Sequence, residues 1–348
     1  MSDRDRDQPS DTMRERVSED TRFVWFLLDA DRWVVATIFS GVLFVALLVG
    51  GSLHPTPAQT LLVRGDPGET LYQALITGTI TGVTLVLTLS QLVLSQELGA
   101  AGDQQDRMEG AMSFRGDVAD TVDAAVSPAE PSAFLRSLVR ATKEQAEDIQ
   151  DTVDAEGFDD QSVEDLVSTY LDSIVGNAET VTDQLEGGSF GEFDVVKAAL
   201  NYNYSWKIYA GRRITEEYGD HLSDDVRTKL DGLVETLQLF GPAREHFKTL
   251  YFQWELSNLS RTLLYVAIPA LTVSIAALLF LDPRGLPGAT LGVSHALLLV
   301  SLTTTIALVP FMVLLAYILR IVTITKRTLS IGPFILRDTD RSVDVSWD

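Results

Sequence analysis

The sequence contains no cysteine in 348 residues. It therefore has no disulfide, no cysteine zinc site and no thiol nucleophile. Histidine is also scarce, and none of the four histidines stands at a ligand or triad spacing from another; they are His54, His221, His246 and His295. A glycine-rich phosphate loop, a nucleophile elbow and a zinc motif are absent as well. We therefore expect no enzymatic activity, no cofactor and no metal site.

Positive charge is in short supply. Asp and Glu number 49 against 27 Lys and Arg, which gives a net charge of -22, and the basic residues are 21 Arg and 6 Lys. Such a balance excludes nucleic acid as a partner, because phosphates need a basic surface. The chain is nevertheless 46% hydrophobic. The apolar and acidic residues are separated along the chain, which indicates membrane-embedded and aqueous parts.

Four long stretches have no charged residue, and each approaches or exceeds the roughly 20 apolar residues that cross a bilayer. They predict transmembrane helices at 33–53, 71–95, 262–281 and 296–319, grouped as two hairpins, 33–96 and 259–320. Carboxylates inside the spans would mark a proton or ion relay. Since the spans contain none, a carboxylate-driven pump is disfavoured.

The distribution of basic residues predicts the orientation of the spans. The two short loops carry one arginine each, Arg64 and Arg284, whereas arginines cluster before the first span and after the last. Both termini and the segment 97–258 should therefore be cytoplasmic in a multi-pass protein of the cell membrane, with the lipid bilayer as partner.

The terminal segments 1–32 and 321–348 are predicted to be cytoplasmic tails. In the first tail, Trp25 and Trp33 flank a short apolar stretch. Tryptophans favour headgroup depth, so an interfacial helix is predicted here. The alternative is an extension of the first span.

The segment 97–258 has helical periodicity and no sustained alternation of apolar and polar residues. Helices are predicted to begin near Ser132, Asp160, Phe193 and Ser223. The third should run past Ile214, and the fourth should break or kink at Gly241-Pro242. The predicted fold class is an all-α integral membrane protein, with four transmembrane helices in a 2+2 order and a cytoplasmic helical-bundle insert.

The second span carries a polar stripe at steps of three and four residues, which places its members on one helical face. We call the following six residues the stripe: Thr77, Thr81, Thr84, Thr88, Gln91 and Ser95. Glu97, Asp103 and Asp106 follow, as a predicted acidic cytoplasmic mouth. Such a face is typical of helix packing in membranes, where hydroxyls and amides join helices. The other interpretation is a pore, lined by copies of this helix in a homo-oligomer.

Two spans, a helical insert and two further spans form an order similar to that of the bestrophin anion channels and bestrophin-like domains. The resemblance implies a pentamer whose second span lines the pore, and no residue role is carried over. The run Ile80 to Gly99 also resembles a stretch of uncharacterised haloarchaeal membrane proteins. Abundant carboxylates, few lysines and no cysteine likewise resemble the composition of a halophilic archaeal protein.

Two functional hypotheses follow. The first is an oligomeric ion channel or passive transport protein whose second span lines the pore. The acidic mouth favours cations and the bestrophin-like order favours anions, so the permeant ion stays open. The second is a membrane-anchored scaffold or sensor whose cytoplasmic domain binds a protein partner.

Overall fold

The computed structural model describes residues 30–327, except 57, 64–65, 98, 159, 187 and 189–192. The side chains of residues 58–59, 94, 96–97 and 326–327 also fall outside the description. The interfacial helix predicted near Trp25 and the tail from residue 328 lie beyond the described residues.

The described chain is almost entirely helical. Its α-helices are α1 (Arg32–Leu53), α2 (Ala58–Val63), α3 (Pro67–Glu97), α4 (Ala101–Thr121), α5 (Pro131–Glu156), α6 (Gln161–Leu185), α7 (Phe193–Leu200), α8 (Tyr204–Tyr218), α9 (Asp224–Phe280) and α10 (His295–Arg327). Short 3-10 turns occupy Gly219–His221 and Pro283–Gly285. Four of the helices, α1, α3, α9 and α10, are long and apolar enough to cross a membrane.

A small hairpin precedes α10. Strands β1 (Ala289–Thr290) and β2 (Val293–Ser294) pair antiparallel across a two-residue turn. Both turn residues have positive φ, 53° at Leu291 and 82° at Gly292, as a type I′ hairpin turn requires. These four strand residues are the only β-structure in the described residues, so the fold is helical.

The chain divides into two compact units, and residues 99–252 form a helical domain with its own core. α5, α6 and the first part of α9 bury apolar side chains at helical spacing, among them Leu135, Leu138, Ile149, Val167, Leu171, Ile174, Leu230, Leu233, Leu237 and Phe240. α4 precedes these helices and lacks a strong apolar face, which is why the sequence did not predict it. Its core contacts come late, at Phe114 and Val118.

The prediction of one continuous third helix in this domain is wrong. The structure has two helices there, α7 and α8, with a break between them. The main chain leaves the helix at Asn201, whose carbonyl accepts a hydrogen bond from Asn177 Nδ2 at 3.0 Å. The next residue, Tyr202, is fully buried, and its hydroxyl lies 2.6 Å from Thr142 Oγ1. The Asn201 side chain also makes a long-range contact, because its Nδ2 donates to Gln184 Oε1 at 2.9 Å. Long-range contacts at Asn201 and Tyr202 therefore override the helical pattern.

The predicted break at Gly241-Pro242 is absent, since α9 continues through both residues. Proline removes one intrahelical hydrogen bond. The neighbouring Phe240 and Ala243 are both buried in the core, and this packing offsets the lost bond. Gly241 serves packing here, because a Cβ at this position would lie 2.9 Å from the Tyr204 ring.

The second unit contains the other described residues up to 98 and residues 253–324, and we call it the span unit. One of its apolar clusters joins Val35, Val86, Leu263 and Val313. Another joins Tyr72, Leu75, Ala277 and Ala307. Within this unit α3 therefore runs antiparallel to α9 and in the same direction as α10.

Candidate functional site

The six residues of the stripe share one face of α3, and all six are exposed. The opposite face carries the buried residues Tyr72, Leu75, Thr79 and Val86. Packing of α3 inside the chain therefore uses the apolar face and leaves the hydroxyls and the amide outside.

Two further exposed polar residues extend the stripe towards the start of α3. Thr70 and Gln73 precede Thr77 by seven and four residues, and both are exposed. Both lie outside the predicted stripe, which begins at Thr77. Their steps of three and four residues were the signal that would have found them. A polar face thus follows α3 from its first turn to Ser95.

Aliphatic side chains flank the stripe. Ile80 lies on one side, and Leu85, Leu89 and Leu92 lie on the other, with exposed fractions from 48% to 61%. Gly78 and Gly82 lie further round, where a Cβ would stand 3.6 and 3.5 Å from the Phe311 ring. The exposed half of α3 is therefore polar in the middle and apolar at both edges.

The other three apolar helices differ from α3 in this respect. In their apolar stretches the exposed large side chains are mostly hydrophobic, including Val42, Val45 and Val49 on α1, Ile268, Ile275 and Leu279 on α9, and Leu302, Leu315 and Val322 on α10. One exposed threonine interrupts the apolar stretch of α1 and one that of α9, Thr37 and Thr272. Among the four long apolar helices in the described residues, a long polar face within the apolar stretch is found on α3.

Several polar hydrogens of this face are used within α3 itself. The Thr88 hydroxyl donates to the Thr84 carbonyl at 2.9 Å, and the Ser95 hydroxyl donates to the Leu92 carbonyl at 2.7 Å. Gln73 Nε2 donates to Glu69 Oε1 at 3.4 Å. Each of these groups keeps an oxygen that accepts further bonds.

The three residues predicted to form an acidic cytoplasmic mouth follow the stripe at the end of α3 and in α4. The Glu97 side chain falls outside the description. Asp103 and Asp106 are exposed on α4, in the helical domain. Asp103 Oδ2 accepts a hydrogen bond from the Ala100 N–H at 3.3 Å, so it caps the start of α4.

Polar contacts inside the span unit join α3 to its neighbours. The Tyr72 hydroxyl lies 2.6 Å from Thr303 Oγ1 on α10. Ser90 is hydrogen-bonded to Ser260 on α9. These are the hydroxyl pairs that hold membrane helices together, and neither involves a residue of the stripe.

An ion pair lies where α1, α9 and α10 meet. Arg32 Nε donates to Glu255 Oε1 at 2.7 Å, and Glu255 is only 1% exposed. The Arg32 guanidinium also stands 5.2 Å from the centre of the Tyr317 ring. Nearby on α10, Arg320 is buried and donates to the Ala30 carbonyl at 2.5 Å. Glu255 was not predicted as a buried partner, because it precedes the uncharged stretch 262–281.

The helical domain also buries polar groups. The Lys207 ammonium lies 5.3 Å from the centre of the Tyr202 ring. The Tyr170 hydroxyl donates to the Lys207 carbonyl at 2.9 Å, and burial raises the pKa of Tyr170, so it stays a neutral donor. These contacts fix the packing of α6, α7 and α8. In the part of the chain that the structure describes, no three carboxylate or imidazole groups gather into a candidate metal site.

The model of a family of unknown function, DUF7972, matches residues 1–348. Neither the curated proteins nor the solved structures gave a match.

Proposed function

We propose that several copies of this chain surround a common axis in the membrane and pass ions along the stripe. The chain belongs to DUF7972, a family of unknown function. The observation that carries this proposal is the exposure of the polar face of α3. A face that packs within the chain would be buried, and a face that meets lipid would be apolar like those of α1 and α10.

The aliphatic edges of the exposed face support an axial position. In a ring of helices, residues that face the axis meet water, while residues on either side meet the neighbouring copies. Ile80 on one edge and Leu85 and Leu92 on the other suit the contacts between copies. The stripe in between suits a wetted lumen.

The proposal includes the orientation. The four helices cross the membrane as two hairpins, and the helical domain and both termini are cytoplasmic. The scarcity of arginine and lysine in the two short loops supports this arrangement. A reporter fused within 97–258 and found outside the cell would contradict it.

The test is reconstitution of the purified full-length protein. We expect mass photometry in detergent to give a homo-oligomer of fixed size, and liposomes that contain the protein to release potassium chloride. A monomer without conductance would overturn the proposal.

A variant pair makes this test specific. Thr84→Leu with Thr88→Leu adds apolar bulk to the middle of the stripe and should strongly reduce conductance, because an apolar constriction loses its water. Thr272→Leu is the control, since Thr272 is an exposed threonine on α9 with the same hydroxyl bond to the backbone. The control should conduct like the parent protein.

A second candidate function is a membrane-anchored scaffold whose helical domain binds a protein partner. Residues 101–113 of α4 are exposed throughout, and Met108 and Met112 are 64% and 59% exposed. A single uncovered helix of this length is marginal in water. Exposed methionines are adaptable contact residues, which favours a covering protein.

Amide hydrogen exchange of the full-length protein distinguishes the two candidates. A scaffold should exchange rapidly at 101–113 when purified and slowly in native membranes, where its partner is present. Protection that is equal in both preparations would contradict a separate partner and favour contacts between copies.

A further inference from the structure

We infer that the pathway along the stripe selects cations over anions. This inference rests on the proposed function and adds the class of permeant ion. An anion needs hydrogen-bond donors or positive charge along its path, whereas a cation needs oxygen acceptors. The donors and acceptors of α3 can therefore be compared directly.

The backbone of α3 offers an anion nothing over most of its length. In a helix the amide hydrogens bond internally, apart from those of the first turn. No Lys or Arg occurs between Pro67 and Glu97. Donors in the lumen must then come from hydroxyl and amide side chains alone.

The side chains have fewer free donors than their number implies. The single hydroxyl hydrogens of Thr88 and Ser95 are used in bonds to the Thr84 and Leu92 carbonyls, so each presents only oxygen lone pairs. Gln73 uses an amide hydrogen on Glu69 and keeps its amide oxygen. Gln91 offers both a donor and an acceptor and favours neither ion.

Among the α3 side chains that the structure describes, the one charged group is negative. Glu69 lies exposed in the first turn, and copies around an axis would form a ring of carboxylates. Acidic rings of this kind are found in cation channels. Such a ring concentrates cations at the entrance and repels anions, most strongly at low ionic strength.

The test is the reversal potential of the full-length protein in a planar bilayer under a tenfold gradient of potassium chloride. Moving one elementary charge across 100 mV is worth about 2.3 kcal/mol, and a tenfold concentration ratio is worth about 1.4 kcal/mol. Ideal selectivity for one ion therefore gives a reversal potential of about 60 mV. We expect the reversal potential to have the sign of the potassium equilibrium potential. The sign that belongs to chloride overturns the inference and leaves the proposed function standing. Absence of current overturns both.

Two variants separate the contributions to selectivity. Glu69→Gln should lower the potassium current by about tenfold or more in dilute salt, because a charged ring raises the local concentration of cations by at least that factor. In 1 M salt, where the charge is screened, the decrease should be far smaller. Thr88→Val should reduce the preference for potassium, and Thr272→Val should leave it unchanged. If Thr88→Val and Thr272→Val changed the preference for potassium equally, the stripe hydroxyls would not contribute to selectivity.

Discussion

Arg32 and Glu255 form a buried ion pair that links the start of α1 to α9. Glu255 is 1% exposed and the Arg32 side chain is 23% exposed, and the Nε–Oε1 distance is 2.7 Å. Tyr317 of α10 adds a ring face to the same guanidinium. One arginine thus contacts two other helices of the span unit.

Removal of one partner should destabilise the protein strongly. Glu255→Leu takes the buried carboxylate away from the Arg32 guanidinium, for which we expect a loss near the lower end of about 3–5 kcal/mol, because Arg32 retains some contact with solvent. The double variant Arg32→Met with Glu255→Leu should recover most of the loss, since apolar replacement of both partners is often neutral. Thermal unfolding in detergent measures each change.

The matched comparison is the exposed pair Arg140 and Glu144 on α5, with side chains 63% and 68% exposed. Glu144→Leu should change stability by less than about 1 kcal/mol. If Glu255→Leu were equally mild, the buried pair would not hold the span unit together.

Two glycines of α1 should respond oppositely to alanine. A Cβ at Gly51 would lie 2.5 Å from Leu297 Cδ1, whereas a Cβ at Gly41 would meet nothing within 4 Å. Gly51→Ala should displace the Leu297 side chain and cost about 1–3 kcal/mol. Gly41→Ala should be neutral or stabilise by up to about 1 kcal/mol, since alanine favours a helix. Melting temperatures in one detergent give the comparison, and a larger loss at Gly41 would contradict the close packing of α1 on α10.

Asp160 should make the start of α6 sensitive to acid. Its carboxylate accepts bonds from the Ser162 hydroxyl at 2.7 Å and the Ser162 N–H at 2.9 Å, and these bonds hold its pKa below the ordinary value of 3.8. Because the pKa of Asp160 is lower in the folded protein, its carboxylate stabilises the fold at pH values above the ordinary pKa. This contribution is lost as the pH falls through the folded-state pKa.

Asp160→Asn isolates this contribution, because asparagine also caps helices but does not titrate. We expect similar melting temperatures for both proteins at pH 7. In acid, the melting temperature of the variant should fall less than that of the parent protein. Parallel pH profiles would show that the Asp160 carboxylate does not contribute.

The acid excess should make stability rise with salt. Pairs such as Lys143–Glu179 and Lys229–Asp148 weaken when screened, but 49 acidic groups face only 27 basic ones, so repulsion dominates. The screening length falls from about 10 Å at 0.1 M to about 3 Å at 1 M. We expect the melting temperature to increase over this range of potassium chloride, with an uncharged osmolyte as control. A decrease would contradict the halophilic interpretation of the composition.

The helical character and the polar face of α3 were readable from the sequence, because both depend on periodicity within one segment. The interruption after Leu200 was not readable, since it depends on Asn177 and Thr142 from other helices. The Arg32–Glu255 pair spans 223 positions, so no local pattern could predict it. Exposure of the stripe likewise required the packing of the other spans.

Cysteine labelling tests most directly whether the stripe faces water, and the absence of native cysteine leaves no background to remove. Thr88 and Thr272 are exposed threonines whose hydroxyls each donate to a backbone carbonyl at 2.9 Å. Our account predicts that Thr88→Cys in intact membranes reacts rapidly with a charged thiol reagent and that Thr272→Cys, facing lipid, does not. Equal protection of both positions would contradict an aqueous pathway along α3.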